Sequence, residues 1–250
     1  MRLLGFLLPA VLLAAGPALA EHPAECRVAE NQVENDFRLP RVIAALASKR
    51  LEILVMGAGS SALPGADGIS KAYPARLQHV LTEKLPGVAI KVTTDVKSGR
   101  TAPDALKAIT ASLAAAKPAL MIWQAGTVDA MRSVELDVFS AALDKGVETA
   151  HAAGSDVILI NAQYSPRTES LIALGLYTDN MRWVALQREI PLFDRFSVMK
   201  LWAELGTFDF FAITKKLDTA ERVHDCIARL LSDLIVDGAK PVAPSPEGLR

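Results

Sequence analysis

The sequence predicts a single three-layer α/β domain with a mainly parallel sheet. Short apolar runs alternate with helical patterns along the chain, and the connections between them are short. The runs are continuously apolar, which is typical of strands covered on both faces. Strands that alternate with helices in this way form right-handed crossovers and a parallel sheet. The 250 residues, 51% of them hydrophobic, are enough to bury one core.

The elements follow these runs in order. A short amphipathic helix in LPRVIAALASKR precedes the first strand. Pro74 suits a first helical position, and Gly87 and Gly154 suit the residue that follows a helix. Strands are predicted at 51–57, 88–93, 119–125, 156–161 and 191–193. Helices are predicted at 74–86, 102–116, 133–153, 168–189 and 219–237.

The first twenty residues predict a secretory signal peptide. Arg2 supplies a positive charge, residues 3–15 are apolar, and Ala18-Leu19-Ala20 is a small-x-small cleavage site. The apolar segment is too short to span a bilayer. We expect cleavage near Ala20 and a periplasmic or secreted protein without a transmembrane segment. The predicted segments are the signal peptide at 1–20, an N-terminal segment with a short helix at 21–50, the α/β domain at 51–238 and a mobile tail at 239–250.

Charge and cysteine content restrict the partners. The net charge of −1 gives no basic field to attract nucleic acid. Cys26 and Cys226 are the only cysteines, and in an oxidising compartment such a pair predicts a disulfide, with two buried free thiols as the alternative. They lie 200 positions apart in the sequence, so no zinc site or other metal site is expected. The oligomeric state is not determined by the sequence.

The stretch ILVMGAGSSALPG, residues 53–65, is a strand that runs into a glycine-rich turn. Several hydrolase folds carry their nucleophilic serine at such a corner, which makes Ser60 and Ser61 candidates. The Gly-x-Gly at 57–59 lacks the further glycine, lysine and acidic partner of phosphate and dinucleotide loops, so no cofactor is expected. Ligands of parallel sheets bind beyond the carboxyl ends of the strands, where this turn lies.

Five segments carry a family pattern: GAGSSALPGADGISKAYPARL, IWQAGTVDAMRS, NAQYSPR, LFDRFSVMKLW and DTAERVHDCIARLL. Together they resemble the SGNH/GDSL hydrolases, in particular an exported proteobacterial subgroup. The similarity covers roughly residues 26–237. The resemblance implies a flavodoxin-like architecture and serine-dependent ester hydrolysis. In that chemistry a histidine held by an aspartate deprotonates the serine, and backbone amides with an asparagine stabilise the oxyanion.

The chain departs from the family pattern at each catalytic side chain. Gly59 stands at the nucleophile position, and Val128 stands where the oxyanion asparagine is expected. When the last helix is aligned on its cysteine, Lys215 replaces the aspartate and Asp218 replaces the histidine. The glycine of the second block is retained as Gly99. No catalytic residue is therefore expected at these positions, and Gly59, Gly99 and Val128 should converge at one end of the sheet.

Two neighbouring polar residues receive structural roles. Asp129 follows Val128, but a carboxylate would repel an oxyanion, so we expect it to cap or orient the loop. His224 lies inside the last helix, where packing is the expected role.

Two functions follow from this pattern. The first is an exported, inactive SGNH-like protein that binds a small ester-bearing or carbohydrate ligand or acts as an accessory protein. Its ligand-binding residues would be Gly59, Ser60, Gly99, Gln163, Tyr164 and Arg167, although Gln163 and Tyr164 suit a structural role equally well. The alternative is an active esterase or deacetylase with a rearranged site. It would use Ser60 as nucleophile and an acidic residue such as Asp218 as base, with a carboxyl pKa raised by burial.

Overall fold

A computed structural model describes residues 22–28, 36–212 and 217–240. The expected signal peptide, the residue that would begin the mature chain, Lys215 and residues 241–250 of the expected tail lie outside these described residues. Among the described helices, none combines the length and apolar character needed to cross a membrane.

Within the described residues, one parallel sheet has the strand order β2-β1-β3-β4-β5. The chain passes from β1 to β2 on one side of it and then crosses to β3 on the other side of β1. The direction in which strands are added therefore reverses between β1 and β3. A crevice forms beyond the carboxyl ends at such a reversal point. The strands are β1 (Arg50–Gly57), β2 (Ala89–Val96), β3 (Leu120–Gln124), β4 (Asp156–Ile160) and β5 (Leu192–Phe193). The predicted α/β class and parallel sheet are confirmed.

Strand burial depends on position in the sheet. Every residue of β3 and β4 is buried, as their largely apolar sequences LMIWQ and DVILI predict. The expectation of strands covered on both faces is wrong for β2, whose residues are all exposed or half-buried. In the described part of the chain, β2 is an edge strand that pairs with β1 alone, and its polar residues face less protein.

The helices form the two outer layers, with α4, α6 and α8 packed in one group and α3 against α10 in another. The helix predicted at 168–189 is two helices, α7 and α8, because Ile172 has extended backbone dihedrals. Helices α2, α5 and α9 were not predicted. The helices are α1 (Pro40–Ala47), α2 (Gly68–Lys71), α3 (Tyr73–Lys84), α4 (Ala102–Ala116), α5 (Thr127–Met131), α6 (Leu136–Ala152), α7 (Pro166–Leu171), α8 (Leu174–Gln187), α9 (Arg195–Glu204) and α10 (Asp218–Gly238).

The N-terminal region is attached to the last helix by a disulfide and to the sheet by hydrogen bonds. Cys26 forms the predicted disulfide with Cys226 of α10, and their Cα atoms lie 4.8 Å apart. The Asp156 carboxylate accepts hydrogen bonds from the amides of Arg41 and Val42, at 2.8 and 3.0 Å. Helix α1 therefore packs as part of the α/β domain, although the sequence boundary lies after it.

Candidate functional site

The turn after β1 depends on a close approach between Gly57 and Ser61. A Cβ atom on Gly57 would lie 2.0 Å from Ser61 Oγ, so any side chain there would displace the serine. Ser61 is only 1% exposed, and its hydroxyl donates to Gln124 Oε1 at 2.9 Å. Ser61 therefore holds the corner together and is not available to a ligand.

Ser60 has a different environment. It is half-buried and lines a surface cleft, and its Oγ accepts a hydrogen bond from Gln124 Nε2. Its backbone carbonyl accepts from Arg195 Nη1 at 2.9 Å. Among the described residues, no histidine or carboxylate hydrogen-bonds the Ser60 hydroxyl. One amide, that of Gln124, thus binds both serines of the corner.

The cleft lies at the carboxyl ends of the strands and has a volume of about 460 Å³. This size is ordinary for a small-molecule site. It brings together Gly59, Gly99 and Val128, which are separated in sequence but follow three adjacent strands. The residues that line it are Gly59, Ser60, Ser98, Gly99, Thr127, Val128, Met131, Arg132, Gln163 and Thr168.

Gly59 and Gly99 present backbone to the cleft. Gly99 has φ of +71°, and a Cβ there would lie 3.0 Å from Arg132 Nη2, so both conformation and space favour glycine. A Cβ on Gly59 would meet only Ser98 Oγ, at an ordinary 3.6 Å. Within the described chain, no backbone carbonyl accepts a hydrogen bond from the amide of either glycine. Both amides are therefore potential donors to a ligand.

The third block contributes an apolar wall and a structural carboxylate. Val128 is half-buried in the cleft and has no polar atom on its side chain. Asp129 is buried, and its carboxylate accepts from the amides of Ala102 at 2.7 Å and Gly126 at 3.0 Å. Burial raises the pKa of Asp129. Asp129 joins the start of α4 to the turn after β3, which is the orienting role expected for it.

Some residues expected at the site lie elsewhere. Tyr164 is buried edge-on against Phe196, with ring centroids 5.4 Å apart, and it does not line the cleft. Arg167 is exposed on α7 and is also absent from the lining. Asp218 is exposed at the start of α10, likewise away from the cleft. Of the segment NAQYSPR, Gln163 is the residue that reaches it.

The described histidines also lie outside the cleft. His224 is 4% exposed, and its Nδ1 accepts from the Tyr73 amide at 2.9 Å while the two rings stack at 5.8 Å. Burial lowers the pKa of His224 to about 3, so the ring is neutral and packs as expected. In the described segments, no group of three or more His, Cys, Asp or Glu side chains is arranged to hold a metal ion. The other described histidines are His22, His79 and His151.

Sequence reasoning missed Arg195, the first residue of α9. Its side chain is 1% exposed, and burial lowers its pKa to about 10. Nη1 donates to Gln124 Oε1 at 3.0 Å as well as to Ser60, and Nη2 donates to Gln163 Oε1 at 3.2 Å. The available signal was an arginine two residues after the short β5 strand, at the carboxyl edge where ligands bind.

The parallel sheet, and the corner after β1 with its cleft, define an SGNH/GDSL-type α/β protein. The chain belongs to the non-GDSL lipase-like family, whose model matches residues 25–241. The family resemblance stated from the sequence is thereby confirmed. No curated protein sequence matches the chain.

Solved structures share the fold. TesA is 23% identical, with a TM-score of 0.57 over 73% of this chain and 99% of its own. Axe2, an acetylxylan esterase from Geobacillus stearothermophilus, is 17% identical, with a TM-score of 0.59 over 74% and 94%. The psychrotrophic esterase EstA from Pseudoalteromonas sp. is 19% identical, with a TM-score of 0.57 over 74% and 96%. At these identities the likeness establishes the fold alone.

Proposed function

We propose that this protein is an exported, non-catalytic member of its family whose cleft binds a small ester-bearing or carbohydrate ligand. The observation that carries the proposal is the environment of Ser60. Its hydroxyl oxygen accepts a hydrogen bond from the Gln124 amide, and the described residues offer it no base. A serine becomes nucleophilic only when a neighbouring base takes its proton during attack. An amide N–H cannot do this.

The loss extends beyond the nucleophile. General-base assistance is typically worth about 10²–10⁴-fold in rate, and one oxyanion donor about 10²–10³-fold. Val128 supplies no donor in place of the oxyanion asparagine, and no histidine among the described residues lines the cleft. We infer that rate enhancement at this site is too small for a useful ester hydrolase.

The cleft nevertheless keeps what binding requires. The backbone amides of Gly59 and Gly99 remain available, and hydroxyls of Ser98, Thr127 and Thr168 surround them. Hydroxyls and amides suit a carbohydrate, whose groups both donate and accept. The acetylxylan esterase among the structural neighbours makes acetylated saccharides the first ligands to test.

The test pairs binding with hydrolysis. Thermal unfolding of the wild type is recorded with acetylated and deacetylated xylo-oligosaccharides, and p-nitrophenyl acetate hydrolysis is measured in parallel. We expect stabilisation by one of the saccharides, since a ligand at 100 times its Kd adds about 2.7 kcal/mol. We expect the same background hydrolysis in the wild type, in Ser60→Ala and in Ser98→Ala, a matched serine of the same cleft.

The alternative remains an esterase or deacetylase that uses Ser60. Its carboxylate base was expected to be Asp218, which is exposed and away from the cleft. Hydrolysis by the wild type that disappears in Ser60→Ala but persists in Ser98→Ala would establish this alternative and reject the non-catalytic proposal.

Export is tested separately. The signal sequence and the Cys26–Cys226 disulfide support it, because disulfides persist in oxidising compartments. Expression of the full chain in a Gram-negative host should yield a periplasmic protein. Its intact mass should correspond to a chain that begins near Glu21. A cytoplasmic product that retains Met1 would contradict export.

A further inference from the structure

The candidate cleft contains positive charge without negative charge. Its lining includes Arg132, three hydroxyl side chains besides Ser60, and the Gln163 amide, but no aspartate or glutamate. The neighbouring depression, which shares Ser98, Gly99 and Arg132, adds three cationic residues, Lys97, Arg100 and Lys107, against one carboxylate, Asp104. The described surface around the cleft therefore favours an anion.

A second positive charge lies behind the wall of the cleft. The buried Arg195 guanidinium donates to Ser60 and Gln163, both of which line the cleft. All its hydrogen-bond acceptors are neutral oxygens, and its Nε has no partner among the described residues. Tyr73 interacts with it electrostatically, but burial raises the pKa of that phenol to about 12, so Tyr73 is neutral.

A buried charge without a counterion is unusual. Removing a guanidinium from water is costly, and proteins normally recover that cost with a carboxylate in contact. No carboxylate of the described residues forms an ion pair with Arg195. An anionic ligand in the cleft, separated from the guanidinium by Ser60 and Gln163, would supply the missing negative charge.

Arg132 is placed to contact an anionic ligand of the cleft directly. It is exposed at the rim, forms no ion pair with a described carboxylate, and lies over Gly99, where any larger residue would displace it. The free amides of Gly59 and Gly99 lie in the same cleft. A guanidinium beside backbone amides is a common recognition arrangement for carboxylate and phosphate oxygens.

We propose that the ligand of this cleft carries an oxyanion group, a carboxylate or a phosphate, which Arg132 contacts directly and Arg195 stabilises from behind the wall. The proposal rests on the proposed function, because it takes the cleft as the binding site. It adds that the saccharide or ester bound there is acidic.

The test compares pairs of probes in which one member carries an anionic group and the other is neutral. Calorimetry measures trigalacturonate against its methyl ester, which is neutral, and glucose 6-phosphate against glucose. The acidic member of at least one pair should bind about ten-fold tighter or more, and added salt should weaken it. The pair that shows the difference distinguishes a carboxylate from a phosphate.

Two variants test whether the tighter binding of the acidic probe depends on Arg132. Arg132→Gln should weaken binding of the acidic probe by about ten-fold or more, since a hydrogen bond between ions is lost. Lys107→Gln removes the same charge from the neighbouring depression, where Lys107 is exposed and pairs with Asp104. That control should change affinity less than about two-fold.

The outcomes separate this inference from the function on which it rests. Equal affinity for the neutral and acidic members of both pairs would overturn the anionic ligand while leaving saccharide binding intact. Equal weakening by Arg132→Gln and Lys107→Gln would also overturn it, because the effect would then be one of net charge. If no probe binds and acetylated xylo-oligosaccharides also fail, both proposals are rejected.

Discussion

At the residue scale, the adjacent serines Ser60 and Ser61 differ in burial, because Gly57 has no side chain and leaves space for Ser61 in the interior. Ser61 fills the space that a side chain on Gly57 would occupy, and it is buried against Gln124. Ser60 remains at the cleft, with its hydroxyl held by the same glutamine. The glutamine thus occupies the hydrogen-bonding position at which a catalytic base would be needed.

Restoring the nucleophile alone should not restore activity. Gly59→Ser should fold, because its Cβ meets only Ser98 Oγ at 3.6 Å. We expect p-nitrophenyl acetate hydrolysis to stay at the wild-type background, since the base and the oxyanion donor, worth about 10²–10⁴-fold and 10²–10³-fold, remain absent. Adding Val128→Asn, Lys215→Asp and Asp218→His should still give a weak enzyme, because residue 218 does not line the cleft. Saturable turnover by Gly59→Ser alone would contradict this prediction.

His224 should make the protein acid-sensitive. Its folded pKa of about 3 lies below the ordinary value of 6.5, so between these values the unfolded chain binds a proton that the folded chain does not. Stability contributed by the neutral ring is therefore complete above pH 6.5 and is lost as the pH falls, by at most about 1.4 kcal/mol per pH unit.

The measurement is urea unfolding of the wild type and His224→Asn at pH 7.5, 6 and 5. Asparagine retains an acceptor for the Tyr73 amide, so the variant should fold and show a shallower loss of stability with acid. The control is His79→Asn, since His79 is exposed on α3. Parallel pH profiles for wild type and His224→Asn would refute the assignment.

At the scale of the element, the packing of α6 on the sheet depends on a glycine. A Cβ on Gly146 would lie 2.2 Å from Trp123 Cζ3 of β3 and 2.9 Å from Ile109 Cδ1 of α4. The absence of a side chain lets the indole fit between the two helices. This contact helps to hold β3, whose carboxyl end leads into the cleft, against the helical layer.

We expect Gly146→Ala to lower the free energy of unfolding by about 1–3 kcal/mol, because it overpacks the core. Gly175→Ala is the matched control, since that helical glycine has nothing within 4 Å of its Cβ position. Alanine at 175 should be neutral or stabilising by up to about 1 kcal/mol. Denaturant unfolding measures both, and equal effects of the two substitutions would show that the tryptophan contact is unimportant.

At the scale of the whole molecule, the disulfide closes nearly the entire chain. It joins the turn at Ala24–Cys26 to α10, across a sequence separation of 200 residues. In the chain-entropy account, so long a loop stabilises the folded state by about 5 kcal/mol, because the cross-link restricts the unfolded chain, and strain in the native state lowers this value. The bond also keeps the N-terminal segment against α10.

The double variant Cys26→Ser/Cys226→Ser should therefore lose about 3–5 kcal/mol in urea unfolding of the mature protein. Dithiothreitol should lower the wild-type midpoint toward that of the variant and leave the variant unchanged. Two titratable thiols in the denatured, non-reduced wild type would show that the bond does not form.

The elements most accurately predicted are those that depend on local sequence. The central strands were predicted because β3 and β4 each contain four consecutive apolar residues, and such a run is typical of a strand buried in a sheet. The break between α7 and α8 was not predicted, since no glycine or proline marks Ile172. Helix α9 follows a strand of two residues and carries a buried arginine, so its pattern resembles neither a strand nor an amphipathic helix.

The sequence by itself determined the α/β class, the family, the available disulfide partners and the absence of catalytic side chains at Gly59 and Val128. These are properties of residue identity and of periodicity along the chain. The tertiary structure decided that Gln163 and not Tyr164 lines the cleft, that Gln124 holds Ser60, and that Arg195 lies uncompensated behind it. Burial and hydrogen-bond partners arise from segments 64 and 135 residues apart in sequence, which only the folded chain brings together.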